Sequence, residues 1–253
     1  ARAGDAATLA LLPADAFIAD HETFQTQLGV AMIDAATRDS LITFGVKPTF
    51  PSTGFGYLEV GPESGRHLGT FPIRKVTRFV EKPDLTTAER YLEDGIFVWN
   101  AGIFVWKVAT FLKEADHSAA ELAAFIRDFP KSDWSGFIAQ RFPLLHKTSV
   151  DYAIMEKSHH VETLMARFDW DDVGLWTALP KHLKSDAAGN ATRGIVITAG
   201  AANNIAVSNG RTIALCGVSD LVVVETADAV LVCHRDAVQD IKKIVQQLPK
   251  ELL

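Results

Sequence analysis

Hydrophobic and polar positions along this chain change period several times, and each change marks a different kind of element. Thr8–Leu12 reads as a short buried strand, ended by Pro13-Ala14-Asp15. Asp20 then caps a helix whose Phe24, Leu28, Met32 and Ala35 fall on one face at helical spacing. Leu41–Val46 is an apolar run of strand length. The segment after it carries Pro48, Pro51, Gly54 and Gly56, which exclude a helix. From Thr77 a strand runs to Glu81-Lys82-Pro83, and a short helix follows in which Thr86 and Glu89 are spaced as a capping box. Asp94-Gly95 stops that helix, and a second strand, Ile96–Trp106, is interrupted by the polar Asn100-Ala101-Gly102. Val108–Glu114, Ala119–Phe129 and Trp134–Gln140 repeat at three to four residues, as in Leu122, Phe125, Ile126 and Phe129, and read as helices. Ser149 is expected to cap a helix running to Lys157, and Val161–Phe168 is a further strand.

Beyond a linker-like stretch, Lys184–Asn190, the pattern changes to short β runs: Gly194–Thr198, Asn204–Ser208, Thr212–Cys216, Leu221–Glu225 and Val230–Cys233. Asn209-Gly210 is a hairpin turn signal, and no long-period repeat stands out. Asp236–Leu248 closes the chain as an amphipathic helix with Val238, Ile241, Ile244, Val245 and Leu248 on one face, which invites a homodimer through the C-terminal region. These patterns predict an α/β domain with a mixed sheet over residues 1–184. A small C-terminal β appendage with a terminal helix follows over 191–253.

Composition narrows the function classes. Of 253 residues, 48% are apolar and 22% charged, ordinary values for a soluble globular chain. A net charge of −6 without any Lys/Arg run argues against a nucleic-acid partner held through phosphates. The longest apolar stretch, Leu221–Cys233, is interrupted by Glu225 and Asp228, so no membrane partner is expected. Cys216 and Cys233 read as buried free thiols of a reducing compartment, which makes the cytoplasm the expected location. The first residues lack a secretory leader pattern and run almost directly into a strand, so further chain is expected upstream.

Candidate chemistry lies at strand ends and interruptions, where α/β sheets place ligands: the acid Glu81, the base Lys82 and the amide Asn100. In Thr53-Gly54-Phe55-Gly56-Tyr57 the glycines let a backbone approach a ligand closely, and an irregular strand entry explains them equally well. Asp15, just past a strand, is a metal ligand or a helix cap on equal terms. Asp151 in a first helical turn suits the helix dipole. The acidic cluster Asp169-Trp170-Asp171-Asp172 repels itself unless it is solvated or neutralised by a cation, and Mg²⁺ needs only one or two carboxylates besides substrate phosphates. His159-His160 reads as an exposed helix end, and no Ser–His, Cys–His or zinc-finger arrangement occurs.

Taken in order, LLPAD (11–15), TGFGY (53–57), FVEKP (79–83), WNAGIF (99–104), SVDYAIMEK (149–157) and WDDVGLW (170–176) resemble the sugar-1-phosphate nucleotidylyltransferase family, most closely its mannose-1-phosphate guanylyltransferase (GDP-mannose pyrophosphorylase) branch. Ser219–Val224 is similar to that family's short β appendage. The resemblance implies a Rossmann-like nucleotidyltransferase fold and transfer of GMP from GTP to mannose 1-phosphate, with GDP-mannose and pyrophosphate as products. It further implies that Asp15 and Asp172 hold a catalytic Mg²⁺ and that Lys82 meets the sugar's phosphate. Gly56 would offer its backbone to the sugar, Glu81 and Asn100 would bind sugar hydroxyls, and Asp151 would join them or serve the helix. Two departures stand out. The family's glycine-rich GxGxR loop, which holds the triphosphate, has no counterpart here, so little activity is expected of this chain alone. Ala16 replaces the histidine that usually follows PAD. Two alternatives therefore stay open: a related nucleotidylyltransferase of other specificity, or a catalytically silent homologue with a regulatory or assembly role.

Overall fold

The computed structural model describes residues 4–130, 132–174 and 176–249. Ala1–Ala3, Leu175 of the WDDVGLW motif and the last four residues of the expected C-terminal domain lie outside them. The chain divides into two compact units. One comprises residues 1–14 and 18–170, the other residues 15–17 and 171–253.

The first unit is built on a mixed six-stranded sheet in the order β1-β5-β2-β6-β4-β3, with β3 also touching β5. Its strands are β1 (Thr8–Leu11), β2 (Leu41–Val46), β3 (Gly56–Leu68), β4 (Phe71–Glu81), β5 (Phe97–Lys107) and β6 (Val161–Met165). Only β2 and β6 run parallel among these pairs. Strands covered on both faces lose period-two alternation, which is why β2 and β5 read as nearly continuous apolar runs. On one face Leu41, Leu58, Val98, Phe104 and Trp106 pack against α3 (Val108–Ser118) and α4 (Ala120–Arg127). On the other, Ile42, Phe44, Ile103 and Val105 meet α1 (His21–Thr37). Gln27 of α1 is fully buried but satisfied: its Nε2 donates to Met165 O (3.0 Å) and its Oε1 accepts from Arg167 N (2.8 Å). α1 begins as expected, with Asp20 accepting from Thr23 N at 3.0 Å.

Several expectations for this unit need correction. β1 is an edge strand, not a buried one, so Leu9 and Leu11 stay exposed. α2 (Leu85–Asp94) is capped by Asp84, whose carboxylate accepts from Thr87 N at 2.8 Å, rather than by Thr86; Gly95 ends it in the left-handed conformation. β5 runs through Asn100-Ala101-Gly102 without a break. The polar triplet is a bulge, with the register to β2 shifting between Thr43 and Gly45, and Gly102 supplies the positive φ (70°) it requires. No α-helix follows Ser149. Asp151–Met155 is a single π-turn whose Glu156 N–H reaches back to Asp151 O (2.9 Å), and no side chain caps it. α5 (Trp134–Arg141) forms as expected.

The second unit is a parallel β coil. β8 (Ala191–Arg193), β10 (Ile205–Ser208) and β12 (Leu221–Glu225) pair in parallel in one sheet, edged by the antiparallel β7 (Lys184–Ser185) and β13 (Val230–His234). β9 (Val196–Ala199) and β11 (Ile213–Cys216) pair in parallel in a second sheet. Successive strands thus alternate between sheets, and Ala206, Ile213, Leu215 and Val223 fill the space inside. Asn209-Gly210 is therefore a corner between sheets, not a hairpin, and the linker-like stretch before Ala191 is itself a hairpin. A buried asparagine pair stitches neighbouring coils: Asn190 Oδ1 accepts from Asn204 N (3.1 Å) and Nδ2 (2.8 Å), and Asn204 Oδ1 accepts from Leu221 N (2.9 Å). Cys216 is exposed and Cys233 half-buried, because both lie on strands with one outward face. The terminal helix is shorter than expected: a 3₁₀ turn, Arg235–Asp240, then α6 (Ile241–Val245). No helix among the described residues is long and apolar enough to cross a membrane.

Candidate active site

Three strands of the first unit converge on one place. β3 opens with Gly56 directly opposite Glu81, the last residue of β4. A Cβ on Gly56 would lie 2.4 Å from Glu81 Oε2 and 3.5 Å from Asn100 Cβ, so the missing side chain makes room for both. Glu81 and Lys82 are paired there, with Lys82 Nζ 2.6 Å from Glu81 Oε1. The Lys82 ammonium is more than half exposed while the carboxylate is largely covered. An ion pair of that kind contributes up to about 1 kcal/mol, little enough for a phosphate to take over the ammonium. Burial pushes the Glu81 carboxyl above its ordinary range. Lys82 opposes the shift, and the nearby Asp151 and Glu156 add to it. The hydrogen bond to Glu81 raises Lys82 in turn, so its charge is secure at neutral pH.

Lys82 also has an uncommon backbone. Its φ is 49° although Pro83 follows, a context that favours extended conformations. A strained non-glycine conformation of this type costs about 1–3 kcal/mol and persists only where its surroundings hold it. Here Lys82 N donates to Phe55 O (3.2 Å) and Glu81 N donates to Glu156 Oε1 (2.9 Å).

Asn100, buried on the β5 bulge, is oriented by its neighbours. Its Oδ1 accepts from the Thr43 hydroxyl (2.7 Å) and from Gly102 N (3.2 Å), which turns the Nδ2 donors toward Asp151 Oδ1 at 3.4 Å. Gly56, Glu81, Lys82, Asn100 and Asp151 therefore converge within the first unit. Thr43 and Glu156 were not singled out beforehand. Thr43 is hidden in an apolar strand run, while Glu156 stands in the SVDYAIMEK motif and could have been found there.

The second unit carries the remaining two candidates, Asp15 and Asp172. Phe17 and Asp171 form an antiparallel bridge through two backbone hydrogen bonds (2.8 and 3.0 Å), which lays residues 15–17 beside 171–173. Asp171 itself is committed to the fold. Burial works against its charge, but Val173 N (3.0 Å), Lys181 Nζ (3.2 Å) and His182 hold its carboxyl below the usual range. Asp172 folds back over Gly174, where a Cβ would meet its Oδ2 at 2.6 Å, and Asp15 is exposed. Among the described residues no group of three or more His, Cys, Asp or Glu could hold a metal. Two carboxylates on bridged segments are as few protein oxygens as Mg²⁺, which keeps several waters, would need.

Residues 2–189 match the family model described as nucleotidyl transferase. The chain belongs to that family. Residues 194–248 of this nucleotidyl transferase match a second model, described as a MannoseP isomerase/GMP-like beta-helix domain, in agreement with the parallel coil. The xanthan biosynthesis protein XanB of Xanthomonas campestris pv. campestris (strain B100) is 38% identical over 257 residues, covering 98% of this chain and 52% of XanB. A mannose-1-phosphate guanylyltransferase of Salmonella montevideo is 36% identical over 256 residues, covering 97% of this chain and 53% of its own length. The chain thus spans about half the length of these curated relatives. A solved structure from Thermus thermophilus, described as mannose-1-phosphate geranyltransferase, is similar with a TM-score of 0.81 and 29% identity over 95% of this chain and 69% of that one.

Proposed function

We propose that this chain carries the sugar-phosphate and metal-binding parts of a mannose-1-phosphate guanylyltransferase. The observation that supports this most is the convergence of a carboxylate, an ammonium, an oriented amide and a side-chain-free backbone at Glu81, Lys82, Asn100 and Gly56. A phosphorylated sugar needs that combination: acceptors and donors for its hydroxyls, and a cation for its phosphate. The names of the relatives direct the choice to mannose 1-phosphate and GTP.

In the reaction a phosphate oxygen of mannose 1-phosphate attacks the α-phosphorus of GTP. The new P–O bond replaces the bond to the bridging oxygen, which leaves with pyrophosphate. No protein nucleophile is required, and the work left to the protein is alignment and charge neutralisation. Lys82 holds the attacking phosphate, Glu81 accepts from sugar hydroxyls, and Asn100 donates to a hydroxyl through Nδ2. The Gly56 backbone approaches the sugar ring, and Asp151 helps to orient Asn100. Asp15 and Asp172 would hold Mg²⁺, which when bound neutralises charge on the phosphates. The test is pyrophosphate release by the gene product carrying this sequence, given GTP, Mg²⁺ and mannose 1-phosphate. Folded protein that releases none refutes the enzyme reading and favours a silent homologue. Release with another sugar phosphate or nucleotide in preference corrects the specificity.

A further inference from the structure

The strained Lys82 turn is fixed by two backbone N–H groups whose acceptors differ in kind. Lys82 N donates to a neighbouring main-chain oxygen, Phe55 O, whereas Glu81 N donates to a side chain 75 positions away, Glu156 Oε1. Glu156 reaches that point because of the π-turn before it. An i→i+5 bond brings residue 156 back to the side of the turn occupied by residue 151, whereas an α-helix would rotate the two further apart. The same turn thus aims Asp151 at Asn100 and Glu156 at the Glu81 peptide. A carboxylate close to a phosphate-binding lysine works against anion binding, so its presence calls for a compensating service, and a charge-assisted bond to a strained turn is one.

We infer that Glu156 is the positioning residue of the sugar-phosphate subsite: by accepting from the Glu81 N–H, its carboxylate holds the Val80–Glu81 peptide so that the turn after it presents the Glu81 and Lys82 side chains to the ligand. This rests on the reading of Glu81 and Lys82 as sugar-phosphate ligands. Glu156 itself does not touch the substrate. Its side chain is exposed, so its replacement leaves the core intact.

The experiment compares wild-type protein, Glu156→Ala and Glu156→Gln by calorimetric titration with mannose 1-phosphate, by hydrogen exchange at the Glu81 amide and by thermal melting. The alanine variant is expected to bind about tenfold more weakly and to exchange the Glu81 amide about tenfold faster, as loss of one hydrogen bond to a charged group would give. Its melting midpoint falls by no more than about 3–6 °C, the shift expected for one lost hydrogen bond in a chain of this size. Gln can accept the same N–H and restores both affinity and protection to within about threefold. Unchanged exchange or affinity in the alanine variant, or failure of Gln to restore them, overturns the clamp while leaving the substrate reading intact. Wild-type protein that does not bind mannose 1-phosphate overturns the substrate reading, and the role of Glu156 toward this ligand falls with it.

Discussion

Replacing Gly56 by alanine separates the fold from the site at a single atom. The added methyl group would lie 2.4 Å from Glu81 Oε2, whereas its next neighbours, Asn100 Cβ and Phe79 Cε1, are at an ordinary 3.5 Å. Only the end of one flexible side chain has to move, so Glu81 swings away and its 2.6 Å pairing with Lys82 is lost. The lost pair costs up to about 1 kcal/mol because the ammonium is largely in water. Removing a glycine from a strand returns about 0.5–1 kcal/mol of conformational entropy. Stability should therefore change little, with a melting midpoint within about 2–4 °C of wild type. Affinity should not survive as well. A displaced Glu81 forfeits at least one charged hydrogen bond to the sugar, about 1.5–3 kcal/mol, or roughly 10- to 150-fold in dissociation constant. Calorimetric titration with mannose 1-phosphate beside differential scanning calorimetry measures both quantities. Gly54→Ala is the control, since the nearest atom to its added methyl is Ser52 Oγ at 3.7 Å. Wild-type affinity in Gly56→Ala would refute the placement of Glu81 against the sugar. A large drop in melting midpoint would refute the claim that Glu81 yields freely.

Other substitutions test other parts of the structure. Lys82→Ala should raise KM for the sugar phosphate by about tenfold or more and leave KM for the nucleotide nearly unchanged; equal effects in steady-state kinetics would count against the assignment. Glu81→Gln tests the raised proton affinity. Because burial lifts the folded carboxyl above 4.5, Glu81 favours the folded state at lower pH and that contribution is lost as the pH rises through the raised value. The Gln variant should therefore gain stability relative to wild type in thermal melts as the pH rises above the ordinary carboxylate range, and a difference independent of pH would contradict this. Gly194→Ala contrasts with Gly56→Ala: at φ 85° its methyl would meet backbone, Ser208 O at 2.4 Å, which cannot swing aside. It should cost about 2 kcal/mol or more in chemical denaturation, and wild-type stability would show that the coil corner is looser than described.

Elements whose signals are local were legible before the structure. β2 occurs at its expected bounds, because a wholly apolar six-residue run has few other uses in an α/β chain. Asp20, through its carboxylate, and Gly95, through its left-handed backbone, act at the helix ends where their residue types predict. Glu81, Lys82 and Asn100 stood out because polar groups at the ends and bulges of apolar strands need a reason. What escaped depends on distant partners. Asp84 and Thr86 are both competent caps, and only the path from Pro83 selects Asp84. The coil repeat was invisible because equivalent residues such as Ala191, Ile205 and Val222 are unequally spaced. Glu156 stands in the SVDYAIMEK motif, but its role depends on a partner 75 positions away, the Glu81 amide.

The bridge between Phe17 and Asp171 joins positions about 150 residues apart in the chain. At ribosomal rates of 5–20 residues per second, the later strand of that bridge emerges roughly ten to thirty seconds after the earlier one. The segment bearing Asp15 must wait that long for its partner. Timing of this kind exposes the early segment to proteases and chaperones during synthesis. Nascent chains halted before residue 171 should be cleaved there and lose that sensitivity once the second unit is complete.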